Sequence, residues 1–117
     1  MKTAEELLAS HCRPLTGTAM AETEVSEQRK AVPEWTFENG ALARRFRFSN
    51  YYETIAFVNA LAFVAHAEDH HPELVVGYNQ CEVRYTTHSV GGVSDNDFIC
   101  AAKADALYAQ RAVSPAA

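Results

Sequence analysis

Apolar residues recur along this chain with two periods, and the change from one to the other marks out its elements. Glu34-Trp35-Thr36-Phe37-Glu38 alternates polar and apolar, as a half-buried strand does. Asn39-Gly40 follows, the strongest two-residue hairpin signal. Residues 41–48 read as the returning strand, with Leu42, Phe46 and Phe48 on one face and Arg45 and Arg47 on the other. Either Ser49 or Asn50 then suits a helix cap, and the helix runs to about Asp69. It carries two apolar stripes: Phe57, Leu61 and Val64, and Ile55, Val58 and Ala62. A helix apolar on two sides is buried on two sides. One side should cover the sheet and the other meet a second subunit, so a homo-oligomer is expected.

Pro72 disfavours helical backbone at His71, which stops this helix near His70. Residues 74–78 read as a short strand, Asn79-Gln80 as a turn, and residues 81–88 as another strand. Along it Cys81, Val83, Tyr85 and Thr87 point one way, and Glu82, Arg84, Thr86 and His88 the other. After the loop 89–93, Ser94 and Asp97 resemble a capping box ahead of an Ala-rich helix at 98–107. Upstream, residues 22–31 are rich in helix formers and Pro33 stops them. Residues 5–10 read as a short helix broken by Pro14 and Gly17. The expected organisation is a loosely attached arm (1–20), one domain (21–110) and a frayed tail (111–117). Its order, α-β-β-α-β-β-α with tight turns in both strand pairs, predicts an α+β fold. A four-stranded antiparallel sheet has helices packed on one face and a polar set on the other.

Composition removes several function classes. A net charge of −5 offers no electrostatic footprint for nucleic acid. The one basic cluster, Arg44-Arg45-Phe46-Arg47, reads as a solvated strand edge. Cys12, Cys81 and Cys100 are odd in number and widely spaced, which argues against a disulfide framework or a thiolate zinc site and suits a reducing cytosol. Acidic residues stand where a signal peptide needs an apolar run, and the longest helix is interrupted by Asn59. A cytoplasmic protein with no membrane span is expected.

Four of the five histidines, His66, His70, His71 and His88, fall within 23 residues. Imidazole changes charge near neutral pH, so such a cluster suits proton transfer or metal binding. A helix C-terminus and the neighbouring Glu68 and Asp69 favour the cationic form of His70 and His71, which makes a general acid. His88 is a candidate base or second acid across a cleft. His66 and His70 have the i, i+4 spacing of metal ligands. Ala67, however, stands where a zincin needs Glu, and no cysteine is near, so no metal is expected.

The segment EDHHPELVVGYNQCEVRYTTHSVGGVSDND, from Glu68 to Asp97, resembles the pterin-4a-carbinolamine dehydratase family. It carries His70-His71-Pro72, Tyr78, His88 and Asp97 at the family's spacing, and the likeness continues through Thr87-His88-Ser89-Val90-Gly91-Gly92 and Asn96-Asp97-Phe98-Ile99. It reaches back through Phe57-Val58-Asn59-Ala60 to Trp35, over about residues 22–108, and touches Cys12-Arg13-Pro14 faintly. Two positions depart from the family pattern: His66 stands where Glu is frequent, and Leu74 where Trp is frequent.

The resemblance implies a hydro-lyase assembled as a dimer or tetramer. It would convert 4a-hydroxytetrahydrobiopterin to quinonoid dihydropterin and water, in the recycling path of aromatic amino-acid hydroxylases, without cofactor or metal. It implies His70 and His88 as the acid–base pair and His71 as a pterin holder. Asp97 would orient a histidine or support the loop, with Pro72, Tyr78, Glu68, Asp69, Thr87 and Ser89 in binding or supporting positions. Relatives that serve as non-catalytic dimerisation or assembly partners make that the alternative.

Overall fold

The computed structural model describes residues 1–111. Its elements are α1 (Ala4–Ala9), α2 (Glu22–Gln28), β1 (Thr36–Glu38), β2 (Ala41–Arg47), α3 (Tyr51–Glu68), β3 (Glu73–Val76), β4 (Gln80–Tyr85) and α4 (Asp95–Ala109). The strands make one antiparallel sheet in the order β1-β2-β4-β3, which bears out the expected α+β class. Asn39 and Gly40 both adopt positive φ, 51° and 74°, the backbone that a two-residue hairpin turn demands.

Register decides which side chains share a face. Leu42 stands opposite Tyr85, Arg44 opposite Val83 and Phe46 opposite Cys81. These residues face α3 and α4, and with Trp35, Phe57, Leu61 and Phe98 their apolar members form the core. Arg44 therefore lies inside, not on the solvated edge expected for the basic run. β2 is an inner strand, and its alternation turns Arg44 inward while Arg45 and Arg47 stay exposed. The Arg44 guanidinium lies 4.4 Å from the Phe46 ring centre and donates to Asp105 at 2.6 Å. Trp35 Nε1 donates to the same Asp105 oxygen at 2.8 Å.

Several boundaries differ from expectation for local reasons. β1 starts at Thr36 because the Trp35 N–H turns back to the Val32 carbonyl at 3.0 Å. α2 tightens into a 3-10 turn at Arg29–Ala31. α3 ends at Glu68, before Pro72 can act: Asp69 takes the left-handed conformation (φ 51°), and the His70 N–H donates to the Ala65 carbonyl at 3.1 Å. The β3–β4 turn closes one step earlier, with Gly77 N–H donating to Gln80 O at 2.8 Å. α4 begins at Asp95 because Ser94 caps it directly.

Two corrections matter for the site. β4 stops at Tyr85, so His88 does not lie on the strand's polar face. Thr87 makes an isolated bridge to Gly92 and spends its hydroxyl on Asp97 and Ser94, while His88–Val90 forms a 3-10 turn. The first twenty residues are docked, not loose. Leu7 is fully buried (0% exposed), and α1 packs on α4. Lys2 and Gln28 exchange two hydrogen bonds, and Met20 N–H donates to Val93 O at 2.9 Å. The apolar and polar partners of the arm are all distant in sequence, so local pattern does not reveal them. Residues 112–117 of the expected tail lie outside the described residues.

Candidate active site

The left-handed cap of α3 delivers His70 onto the end of the sheet. Its ring stacks on Tyr85, centroids 5.9 Å apart and planes 11° from parallel. Nε2 lies 2.6 Å from Asp97 Oδ1. Asp97 is fully buried (0% exposed), and its other oxygen accepts from Thr87 Oγ1 at 2.8 Å and from the Ser94 N–H at 2.9 Å. One carboxyl thus closes the capping box of α4 and grips the histidine. A carboxylate oxygen only accepts, so in this contact the hydrogen sits on Nε2.

Around this pair opens a cleft of about 820 Å³. Glu68, Asp69, His70, His71 and Pro72 line it from the end of α3, and Thr87, His88 and Ser89 from the chain leaving β4. His71 and His88 are exposed, while His70 keeps only 12% of its side chain accessible. Asp97 stands behind His70 and does not line the cleft. Tyr78 is not brought to this place. It sits in the turn at the far end of the β3–β4 hairpin, 66% exposed and stacked on Tyr51. His66 is an exposed residue of α3 outside the lining. Among the described residues, no three His, Cys, Asp or Glu side chains converge as a metal-binding group.

Other lining residues escaped the sequence reading of the site. Arg84 donates to the Glu38 carboxylate at 3.0 Å and Thr86 to the Gly40 carbonyl at 3.0 Å, tying the end of β4 to the β1–β2 turn. Both belonged to the expected polar face, so alternation was the available signal. The arm wall, Cys12 to Leu15, had only the faint likeness of Cys12-Arg13-Pro14 as its signal. Asn96 clamps it: its Oδ1 accepts the Arg13 N–H at 3.2 Å and its Nδ2 donates to the Arg13 carbonyl at 2.7 Å. Glu68 holds it from the other side, accepting the Cys12 N–H at 2.7 Å and His11 Nδ1 at 2.9 Å, with Lys103 at 3.7 Å. Burial pushes the Glu68 carboxyl up, but the Cys12 N–H, His11 and Lys103 outweigh it and leave the carboxyl below the ordinary glutamate value. The Tyr85 phenol is pushed up by burial, then by Cys100, Cys12 and Asp97, and its buried hydroxyl has no hydrogen-bond partner among the described residues.

A family profile described as pterin 4 alpha carbinolamine dehydratase matches residues 18–107. The chain belongs to this pterin dehydratase family. Membership places it among hydro-lyases. A relative from Nitrosospira multiformis, provisionally named pterin-4-alpha-carbinolamine dehydratase, is 44% identical over 91% of this chain and 96% of its own length. One from Xanthomonas campestris with the same provisional name is 53% identical over 86% of this chain and 89% of its own. The fold is similar to a crystal structure of a transcriptional coactivator/pterin dehydratase from Brucella melitensis. That match has a TM-score of 0.74 and 31% identity, and covers 78% of this chain and 99% of the other. A pterin dehydratase-like protein described as a RuBisCO assembly factor in the alpha-carboxysome gives a TM-score of 0.53 at 27% identity, over 63% of this chain and 86% of the other. In this pterin dehydratase family member, Leu74 lies half-buried against the core from β3, paired with Val83.

Proposed function

We propose that this protein dehydrates pterin 4a-carbinolamine (4a-hydroxytetrahydrobiopterin) to quinonoid dihydropterin and water by histidine acid–base catalysis. The observation that carries the reading is a single cleft lined by His70, His71 and His88, with His70 held through Nε2 by a fully buried carboxylate. The 4a-hydroxyl is a poor leaving group as hydroxide. An imidazolium protonates it so that it departs as water, the adjacent ring nitrogen supplies the electron pair, and a base removes the ring N–H proton. His70 and His88 fill the acid and base roles, and His71 holds the pterin. Asp97 orients His70, Thr87 fixes Asp97, and Pro72, Asp69 and Ser89 shape the rim. Glu68 acts at one remove, by holding the arm against the cleft. Tyr78 has no part in this protomer's cleft. The reaction calls for no redox cofactor or metal. Its product feeds tetrahydrobiopterin recycling, with an aromatic amino-acid hydroxylase as the pathway partner, in the cytoplasm.

The test is carbinolamine decay followed by absorbance with wild type, His70→Ala and His88→Ala. Wild type accelerates the decay and each variant loses about 10²-fold or more of that acceleration. Wild type that leaves the spontaneous rate unchanged sinks the proposal. The second reading, a non-catalytic dimerisation or assembly partner, is favoured by the coactivator and assembly-factor descriptions of the two structural relatives. A stable co-purifying partner with no pterin activity would select it.

A further inference from the structure

Cys12 and Cys100 lie 88 residues apart in the chain, yet their sulfurs are 3.5 Å apart. Cys12 is half-buried and lines the cleft, whereas Cys100 is buried on α4, one turn beyond Asp97. The backbone carrying Cys12 is held on both sides, by Glu68 at its own N–H and by Asn96 at Arg13. The contact is therefore built into the fold rather than left to a wandering arm. We propose that Cys12 and Cys100 are a redox-modification site: a small hydroperoxide oxidises the pair reversibly to a disulfide, which staples the N-terminal arm to α4 along one wall of the cleft.

The chemistry needs two steps. The Cys12 thiolate attacks one peroxide oxygen, the O–O bond breaks, and water or an alcohol leaves after taking up a proton. The peroxide is reduced by two electrons, and Cys12 becomes a sulfenic acid. The Cys100 sulfur then attacks the Cys12 sulfur, the S–O bond breaks, and the departing hydroxide leaves as water with the Cys100 thiol proton. A small dithiol reverses the change. Bond formation brings the sulfurs roughly 1.5 Å closer than their present contact, a movement on the scale of a side-chain rotation. The hydrogen bond with Cys12 and burial push the Cys100 thiol up, which leaves cleft-lining Cys12 to meet the oxidant and Cys100 to resolve it. Cys81, buried in β4, stands as the internal control.

The readout is independent of pterin activity. Full-length reduced protein is treated with hydrogen peroxide, then analysed by thiol count in denaturant, intact mass and non-reducing tryptic mapping. Arg13 precedes proline and is not cut, so Cys12 lies in peptide 3–29, Cys81 in 48–84 and Cys100 in 85–103. Two thiols should disappear, the mass should fall by two hydrogens, and peptides 3–29 and 85–103 of one chain should run linked until dithiothreitol is added. Cys12→Ala and Cys100→Ala should abolish the link, and Cys81→Ala should keep it. Amide exchange across residues 7–15 should slow by about tenfold in the oxidised protein. Survival of all three thiols, oxygen addition at Cys12 without a link, a link between two chains, or unchanged exchange in the arm would overturn the proposal.

Discussion

Asp97 is the residue on which fold and site meet. Its two oxygens serve the Ser94 N–H, the Thr87 hydroxyl and the His70 ring at once. Asp97→Asn keeps the shape but loses the charge, and its amide nitrogen can only donate where the carboxylate accepted. The variant is expected to lose about 10²-fold in turnover with little change in KM, because positioning of the imidazole fails rather than binding of the pterin. Unchanged turnover would remove Asp97 from the mechanism. The histidine run, its helix-end position and the Ser94 capping box were all legible, since each depends on neighbours within a few residues. The Asp97–His70 bond, across 27 residues, follows only from the way α4 meets the end of α3.

At the scale of elements, the arm is where local reading fell short. Its helix was recognisable, but its attachment rests on Leu7, Gln28, Glu68, Asn96 and Lys103, which the chain brings together only on folding. Leu7→Ala should cost about 2–5 kcal/mol of stability in urea unfolding, the range for emptying a closed apolar site. A loss no larger than that of an exposed leucine would contradict a docked arm. Glu68 adds a pH dependence. Its carboxyl is held below the ordinary value in the folded protein, so the folded state prefers it ionised. That stabilisation is complete above the ordinary glutamate range near pH ~4.3 and fades as pH falls through the lower folded value. Amide-exchange protection in the arm, taken relative to the intrinsic rate at each pH, should therefore fall on acidification, and Glu68→Gln should weaken the arm at neutral pH and flatten that dependence.

For the whole molecule, burial leaves an unfinished surface. No helix among the described residues is long and apolar enough to cross a membrane. Yet Phe63 on α3 is 76% exposed, and Tyr52 of the same helix and Val75 on the edge strand β3 are exposed as well. Of the second stripe expected on α3, only Ala62 is exposed. Val58 packs on the core and Ile55 is half-buried, while Tyr52 and Phe63 point outward. We infer a homodimer or homotetramer that covers these residues. Sedimentation should show it, with Phe63→Glu and Val75→Lys shifting the protein to smaller species. A monomer at every concentration would exclude it.

Periodicity and punctuation alone determined the element order, the hairpin at Asn39-Gly40, the four antiparallel strands and the gathering of histidines beside Pro72. These are properties of short windows, where backbone preference and side-chain alternation act directly. Tertiary structure alone decided that Arg44 turns inward to Asp105, that His88 leaves the strand and that Tyr78 stands away from the cleft. It also decided that residues 12–15 wall the cleft and that Cys12 meets Cys100. Arg44 finds Asp105, Tyr78 stacks on Tyr51 and Cys12 meets Cys100 across long stretches of chain, and His88 leaves the strand because Thr87 bonds to Gly92, Ser94 and Asp97 in the following loop. Alternation sets which face a residue takes, but packing of the whole chain selects the partner it meets.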